Sequence, residues 1–286
     1  MLGDAPVTSL FEAGCGNGSL LQELRRQRPA WRLSGLEPAP GAVAEAQAAG
    51  LHVREGYVGG EDLPDKADVV VAINTAEHVE DPVEFLRLLG DCLAPDGRLV
   101  IVCPDGDVPG VELLIYDHVH SFSRSALYRI AKSAGFNVIR HEPSPGALGT
   151  FQGLVLTRNG TSIAEPPVPP SLMTQRQSYL QAWRDLDASL LVRCPSQLVA
   201  FGAGEAAGLL RVYAPQTWSR VRGVTLDGGS GDYAGLPVID YASLKPDASQ
   251  AVLLAVRPAV QGTLAARLEA DGHVPIRWDD LVTTRR

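Results

Sequence analysis

Four side chains that can transfer protons occur within residues 116–120, near the middle of the chain: Tyr116, Asp117, His118 and His120. Histidine is the usual general acid or base near neutral pH, and an adjacent carboxylate orients the imidazole or raises its basicity. Because Asp117 directly precedes His118, we interpret His118 as a candidate general base. For His120 alone, an ordinary surface position is the favoured interpretation.

A glycine-rich loop near the N-terminus has the residue types needed to hold a cofactor. Residues 11–18 read FEAGCGNG, between the apolar run VTSL and the segment LLQEL. This arrangement predicts a strand, a tight turn and the start of a helix. Gly14 and Gly16 permit the tight turn, and Gly18 lets a ligand lie against the main chain at the helix N-terminus. The loop therefore predicts a nucleotide-like cofactor.

The spacing of the glycines discriminates between cofactors. The dinucleotide fingerprint has its third glycine three residues after the second, with a pyrophosphate at the helix N-terminus, whereas here Gly18 follows Gly16 by two. Glu12 disfavours a phosphate and suits the cationic amino group of a methionine-type ligand. Glu37 lies where doubly wound folds place a carboxylate that accepts hydrogen bonds from ribose hydroxyls. Ribose without pyrophosphate indicates S-adenosylmethionine, although the loop alone is also compatible with a tight turn in another α/β domain.

Two further segments extend the pattern. Residues 67–82, ADVVVAINTAEHVEDP, predict a buried strand and a loop, and residues 93–104, LAPDGRLVIVCP, predict a turn followed by a strand. With these motifs in order, the sequence resembles the class I S-adenosylmethionine-dependent methyltransferases over about residues 7–140. The resemblance implies a cofactor-binding set made up of Glu12, Gly14, Gly16, Asn17, Gly18, Glu37, Pro38, Asn74 and Thr75.

The segment DHVHSFS is similar to the E-H-x-x-Y-F-S segment of the sugar C-methyltransferases of antibiotic biosynthesis. Those enzymes methylate a carbon next to the ketone of a nucleotide-linked deoxysugar. The resemblance implies that His118 is the base, that Asp117 replaces a glutamate, and that His78 binds the substrate or assists proton transfer. Tyr116 or His78 would stabilise an enolate oxygen. At Ser121 the sequence departs from the tyrosine of the family.

A second departure from that family concerns the region before the methyltransferase core. The sugar C-methyltransferases carry a cysteine-ligated zinc domain there, whereas this sequence begins shortly before its glycine loop, so we expect it to lack that domain. The second domain, the 104–122 loop or another subunit of a homo-oligomer would then cover the substrate. O-methylation of a different small metabolite, or a non-catalytic nucleotide-binding protein of the same fold, are the alternatives.

The composition restricts the partners. The chain has 286 residues, a formal charge of −8 and a pI near 5.3. The acidic balance argues against a nucleic-acid substrate, because binding phosphates requires clustered Lys and Arg. The sequence has neither an apolar run long enough to span a membrane nor an export signal, which predicts a cytoplasmic protein. The expected substrate is a small molecule. Its four scattered cysteines indicate neither a zinc site nor a disulfide framework.

A proline-rich segment predicts the domain boundary. Residues 166–170 contain four prolines, a density that blocks helix and central strand, so residues 159–171 are predicted to be a linker. Residues 1–158 are predicted to be the α/β, Rossmann-like methyltransferase domain. Residues 172–286 are predicted to contain a helix that Ser171 caps and that runs through Leu191, followed by a second, smaller Rossmann-like α/β domain.

The second domain has a glycine loop of its own. Gly202 and Gly204 follow an apolar strand and precede a helix, and Asp227 ends the next strand. This arrangement predicts either a second nucleotide site or a tight turn. We favour the turn because the next glycine, Gly208, comes one residue late for the dinucleotide spacing.

Overall fold

The computed structural model describes residues 7–60, 65–143, 149–247 and 249–282. The chain divides into two compact units, and the main boundary between them lies between Pro170 and Ser171. This boundary falls within the segment that the sequence predicts to be a linker. In the described ranges, no helix combines the length and the apolar character needed to cross a membrane.

The first unit contains a mixed sheet covered by helices. Its strands are β1 (Ser9–Ala13), β2 (Arg32–Glu37), β3 (Val53–Glu55), β4 (Ala67–Ile73), β5 (Leu93–Pro104), β6 (Asn137–Pro143) and β7 (Phe151–Thr157). They lie in the order β3-β2-β1-β4-β5-β7-β6; neighbours from β3 to β5 pair in parallel, and β7 is antiparallel to β5 and β6. The helices are α1 (Ser19–Gln27), α2 (Pro40–Ala48), α3 (Pro82–Asp91) and α4 (Arg124–Ser133). This architecture confirms the predicted α/β Rossmann-like fold.

Apolar strands and capped helices explain this arrangement. All five residues of β1 are buried, as expected for a parallel strand covered on both faces. Leu21 of α1 packs in the core on one face of the sheet, and Leu89 of α3 packs in the core on the other. The Asp81 carboxylate accepts hydrogen bonds from the backbone N–H groups of residues 83 and 84, which begins α3. The Ser123 hydroxyl caps α4 by accepting a hydrogen bond from the Ala126 N–H.

One predicted turn is part of a strand instead. The sequence predicts a turn at the start of residues 93–104, but β5 begins at Leu93, which pairs with Ala67. The next pairing joins Val69 to Arg98, so the intervening residues of β5 form a bulge. The bulge lets β5 continue along β4 despite the turn-forming residues in its sequence.

The strand order places the switch point between β1 and β4. From β1 the chain proceeds to β2 on one side, and from β4 it proceeds to β5 on the other. In open α/β sheets, ligands bind outside the carboxyl ends of the strands at this point. The segments that follow β1 and β4 therefore mark the site.

The second unit has its own sheet. Its strands are β8 (Gln197–Phe201), β9 (Val221–Leu226), β10 (Gly231–Tyr233), β11 (Leu236–Asp240), β12 (Gln250–Leu254) and β13 (Pro275–Ile276), in the order β10-β11-β9-β8-β12-β13. Only the edge pair β10 and β11 is antiparallel among these described strands. The helices are α5 (Leu172–Arg184), α6 (Leu186–Arg193), α7 (Glu205–Tyr213), α8 (Pro215–Trp218), α9 (Pro258–Ala270) and α10 (Asp279–Val282).

The predicted helix from Ser171 to Leu191 is wrong in two respects. The Ser171 side chain makes no capping hydrogen bond, and the segment forms two helices that meet at Asp185. The Asp187 carboxylate accepts hydrogen bonds from Thr217 N at 2.9 Å and Thr217 Oγ1 at 2.8 Å. These bonds fix α6 against α8, which is a tertiary contact that sequence periodicity does not report.

Asp68, on β4, joins this strand to the start of β1 through its side chain. Its carboxylate accepts hydrogen bonds from the backbone N–H and hydroxyl groups of Thr8 and Ser9, and these bonds lower its pKa. Replacing Asp68 with Ala should reduce the free energy of unfolding at neutral pH by about 1–2 kcal/mol. Because the pKa is lowered, the contribution of Asp68 is present above pH 3.8 and is lost as the pH falls below that value.

Urea denaturation of the wild type and the variant measures this loss. Asp65→Ala is the matched control, because Asp65 makes an exposed ion pair with Arg32 and should change stability little. Equal effects of the two substitutions at neutral pH would contradict the role assigned to Asp68.

Candidate active site

The glycine loop after β1 is shaped by backbone that glycine favours. Gly14, Gly16 and Gly18 have φ values of +70°, +52° and +78°. The Gly14 N–H donates to the carbonyl of Leu36 at 2.8 Å, which ties the loop to β2. A Cβ atom at Gly14 would lie 2.5 Å from the Thr75 hydroxyl, so the segment after β4 packs against this loop.

Gly16 and Gly18 have different surroundings. A Cβ atom at Gly16 would have no atom within 4 Å, so the main chain there is open to a ligand. A Cβ atom at Gly18 would instead collide with the Leu51 side chain. The open approach predicted for Gly18 therefore belongs to Gly16, and Gly18 allows close packing at the start of α1.

Glu12 is a buried carboxyl at the carboxyl end of β1. Its side chain is 4% exposed, and its Oε2 atom has no hydrogen-bond partner among the described residues. Burial raises the pKa of this carboxyl to about 8. A buried carboxyl that lacks a donor fits a cationic amino group, which would restore its charge.

Glu37 lies at the carboxyl end of β2 in a fixed orientation. One carboxylate oxygen accepts a hydrogen bond from the Gly16 N–H and the other from the Ala39 N–H, each at 2.9 Å. Each oxygen keeps further acceptor capacity for hydroxyl groups of a ligand. Pro38 is half-buried beside it, and the Asn17 amide faces away, 3.5 Å from a carboxylate oxygen of Glu45.

Asn74 and Thr75 follow β4. Asn74 has a left-handed backbone with φ of +51°, a conformation that asparagine tolerates better than most residues. The Thr75 hydroxyl donates towards the carbonyl of Ile73 at 3.1 Å. The predicted positions after β1, β2 and β4 thus meet at the switch point.

A second group of side chains contains Glu77, His78 and His118. One nitrogen or oxygen atom from each lies within 4.8 Å of the others. Glu77 is 1% exposed, and neither carboxylate oxygen has a hydrogen-bond partner in the described chain. Burial raises its pKa to about 7, and the nearby Glu112 and Asp117 carboxylates contribute to the same shift.

His118 and His78 are adjacent imidazoles in this group. Their ring centroids are 4.8 Å apart with the planes at 83°. His118 Nδ1 is buried and has no hydrogen-bond partner within the described ranges. Burial lowers the pKa of His118, and His78 lowers it further, whereas the Asp117 charge and a hydrogen bond with the Glu112 backbone act in the opposite direction.

Asp117 orients His78 rather than His118. His78 Nδ1 lies 3.0 Å from the Asp117 carbonyl oxygen and 3.6 Å from its carboxylate. The sequence predicts that Asp117 orients His118 or raises its basicity, but burial outweighs the Asp117 charge and the net shift of the His118 pKa is downward. His118 is therefore largely neutral at neutral pH.

Buried polar contacts hold the 104–122 loop that carries His118. The Gln152 amide on β7 donates to the carbonyls of Pro104 and Phe122 at 3.1 and 2.9 Å, which joins the two ends of the loop. The Arg124 guanidinium pairs with the buried Asp105 carboxylate, with Nε and Nη2 at 3.0 and 2.5 Å. The loop is thus fixed to the sheet at both of its ends.

The remaining candidates have distinct environments. Tyr116 is 97% exposed, so it does not share the buried surroundings of His118. His120, for which the sequence favours an ordinary surface position, is partly buried, and its ring stacks on Phe122 with centroids 5.3 Å apart. The Ser121 hydroxyl donates to Glu112 Oε1 at 2.9 Å. Sequence reasoning missed Glu77 and Glu112; for Glu77, its position beside His78 in the turn that follows a buried strand was an available signal.

The two glycines of the second glycine loop have different surroundings. Gly202 has φ of +117°, and a Cβ atom there would collide with the backbone of Ala255. Asp227, the predicted ribose acceptor, pairs with Arg267 at 3.0 and 2.7 Å. Close packing accounts for the glycine at position 202, as a tight turn requires. A Cβ atom at Gly204 would have no atom within 4 Å, and this loop lines a cavity of about 450 Å³, so both interpretations of the loop stay open.

Residues 3–141 match the family model described as "Methyltransferase domain". A curated relative, the ubiquinone biosynthesis O-methyltransferase of Azorhizobium caulinodans, is 34% identical over 99 residues, which is 32% of this chain and 38% of that protein. A probable S-adenosylmethionine-dependent methyltransferase of Mycolicibacterium smegmatis is 29% identical over 172 residues, 56% of this chain and 63% of that protein. The matches thus span less than two thirds of either relative's length.

Among solved structures, a plantazolicin methyltransferase crystallised with SAH has a TM-score of 0.49 at 17% identity, covering 55% of this chain and 79% of its own. The family match lies in the first unit and includes the glycine loop, the Glu77 turn and the 104–122 loop. The family match and these relatives therefore make residues 3–141 similar to S-adenosylmethionine-dependent methyltransferase domains.

Proposed function

We propose that this protein transfers the methyl group of S-adenosylmethionine to a small molecule, and that Glu77, His78 and His118 assist the loss of a proton from the accepting atom. One observation carries the proposal: the glycine loop follows β1, the Glu77 turn follows β4, and the switch point lies between these two strands. The ligand-binding edge of the sheet therefore brings a cofactor loop next to a group that can move protons.

The residues after β1 and β2 fit the proposed cofactor. Glu12 supplies a buried carboxyl for the amino group, Gly16 leaves open space beside the main chain, and Glu37 offers oriented acceptors for ribose hydroxyls. When bound, the cofactor supplies an electrophilic methyl group. The protein must then hold the accepting atom in line with that methyl at about 3 Å and remove its proton.

His118 is the proposed proton acceptor. Its lowered pKa keeps the imidazole neutral, and its buried Nδ1 atom has no other partner among the described residues. His78, oriented by Asp117, lies beside it and can donate a hydrogen bond to an oxygen of the substrate.

Two classes of acceptor follow from different observations. Relatives named ubiquinone biosynthesis O-methyltransferase favour an oxygen acceptor, for which His118 would take a hydroxyl proton. The DHVHSFS segment favours the second candidate, a carbon next to the ketone of a nucleotide-linked sugar in natural-product biosynthesis. There, His118 would take a proton from that carbon.

Incubation with S-adenosylmethionine labelled in its methyl group separates these candidates. The acceptors are a panel of hydroxylated small metabolites and nucleotide-linked 4-ketosugars, and NMR locates the labelled carbon in the product. We expect the label on oxygen; a label on carbon supports the sugar candidate. Tight cofactor binding with no transfer to any acceptor class would favour a non-catalytic binding protein.

Glu12→Gln tests the amino-group site because it keeps the shape of the side chain and removes its charge. We expect the affinity for S-adenosylhomocysteine to fall about 10- to 100-fold, since a hydrogen bond to a charged group contributes roughly 1.5–3 kcal/mol. Isothermal titration measures the change. Glu23→Gln, on the exposed face of α1, is the control that should leave affinity unchanged. Equal affinities of all three proteins would exclude Glu12 as the partner of the amino group.

The same variant tests the cost of burying Glu12 in the cofactor-free protein. Because its pKa rises from 4.5 to about 8, the folded state keeps a proton that the unfolded chain loses above pH 4.5. The stability due to this proton is fully present below pH 4.5 and is lost as the pH rises to about 8. In Glu12→Gln, the free energy of unfolding measured by urea denaturation should fall less between pH 4.5 and about 8 than in the wild type. An equal fall in both proteins would contradict a cost of burying the Glu12 charge.

His118→Ala should lower turnover by about 10²- to 10⁴-fold, the usual contribution of a general acid or base. Affinity for S-adenosylhomocysteine should remain near the wild-type value, because the proposed cofactor-binding residues follow β1 and β2, whereas His118 lies in the 104–122 loop. His120→Ala is the matched control, since its ring stacks on Phe122, and it should reduce turnover far less. Wild-type turnover in His118→Ala would remove this residue from the mechanism.

A further inference from the structure

We propose that Glu77, His78 and His118 form a binding site for one divalent transition-metal cation. Their candidate ligand atoms lie within 4.8 Å of one another, a separation that small side-chain movements close around an ion. The set contains two imidazoles and one carboxylate, which is the composition of the facial metal sites that leave coordination positions open for a substrate.

Unsatisfied buried polar atoms provide an independent argument for a ligand. Both carboxylate oxygens of Glu77 and the Nδ1 atom of His118 are buried without a hydrogen-bond partner in the described part of the chain. Native proteins rarely leave such groups unsatisfied, because burying a polar group without a partner costs free energy. A single cation among these three side chains would satisfy the carboxylate and the imidazole together.

The surrounding charges also favour a cation. Glu112 is buried close enough to Glu77 to affect its ionisation, and Asp117 lies beside His78. The Arg124 guanidinium near the loop does not neutralise this group, because it pairs with Asp105 and approaches Asp107. The Asp117 carbonyl lies 3.0 Å from His78 Nδ1, so a tautomer with the proton on Nδ1 leaves Nε2 available as a ligand.

The donor set selects the type of cation. Mg²⁺ and Ca²⁺ prefer oxygen ligands, whereas imidazole nitrogen suits Zn²⁺, Co²⁺, Ni²⁺ and Fe²⁺. Two of the three donors here are imidazoles. The site should therefore bind Zn²⁺ or Co²⁺ and discriminate against Mg²⁺.

The role of this cation rests on the proposed function, whereas its binding does not. A hydroxyl that coordinates the cation loses its proton more readily, because the positive charge lowers the hydroxyl pKa. In the cation-free protein, the His118 imidazole is available as a base. In the loaded protein, His118 is a ligand, the cation lowers the pKa of the accepting hydroxyl, and the hydroxyl proton passes to solvent water.

Direct binding measurements test the site without any substrate. The full-length protein is dialysed against a chelator and titrated with Co²⁺ in an absorbance assay, and with Zn²⁺ and Mg²⁺ by calorimetry. We expect one equivalent of Co²⁺ or Zn²⁺ to bind and Mg²⁺ to bind far more weakly. Glu77→Gln and His118→Ala should each lower Zn²⁺ affinity by at least about 10-fold, as loss of a ligand removes a direct metal bond.

His120→Ala is the control, and thermal unfolding without metal shows which variants fold. Glu77→Gln keeps the shape of the side chain and removes a buried carboxyl, so it should fold at least as well as the wild type. Absence of Co²⁺ and Zn²⁺ binding overturns the proposal, and so does binding that Glu77→Gln and His118→Ala leave unchanged. Neither result bears on cofactor binding or methyl transfer, which the labelling experiment tests separately.

Discussion

The burial of carboxyl groups without hydrogen-bond partners is the constraint on which the binding edge of the first unit depends. Glu12 is the next-to-last residue of β1, Glu77 lies in the turn after β4, and both side chains are almost fully buried. Desolvation raises the pKa of both groups, to about 8 and about 7. Such groups lower stability unless a positive partner compensates them, so their position at the switch point indicates selection for binding.

The rest of the first unit positions these two carboxyls. Apolar parallel strands bring the ends of β1 and β4 together, and the Thr75 side chain fits against Gly14. Gln152 joins both ends of the loop that brings His118 to Glu77. Fixed backbone and buried polar contacts therefore hold two groups of side chains at this edge of the sheet, one that we propose binds the cofactor and one that we propose acts on the accepting atom.

The sequence predicts the fold well because its strands are continuous apolar runs and its turns are marked by glycine or a helix cap. It also predicts cofactor positions after the strand ends, and the structure brings Gly16 next to Glu37 and Gly14 next to Thr75. Contacts between distant segments are less predictable. The break between α5 and α6 depends on Asp187 bonding to Thr217, and the partner of Asp117 proves to be His78 rather than its neighbour His118. Glu77 is missed because its burial depends on how the 104–122 loop folds back, which local patterns do not encode.

Calorimetric titration of the full-length protein with S-adenosylhomocysteine and with NAD tests the central claim most directly. We expect one equivalent of S-adenosylhomocysteine per chain, bound at the loop after β1, and no binding of NAD. The expected stoichiometry is one because Asp227, which follows the strand after the second glycine loop, pairs with Arg267 instead of facing a ribose. Tight binding of NAD without binding of S-adenosylhomocysteine would contradict the assignment of the cofactor.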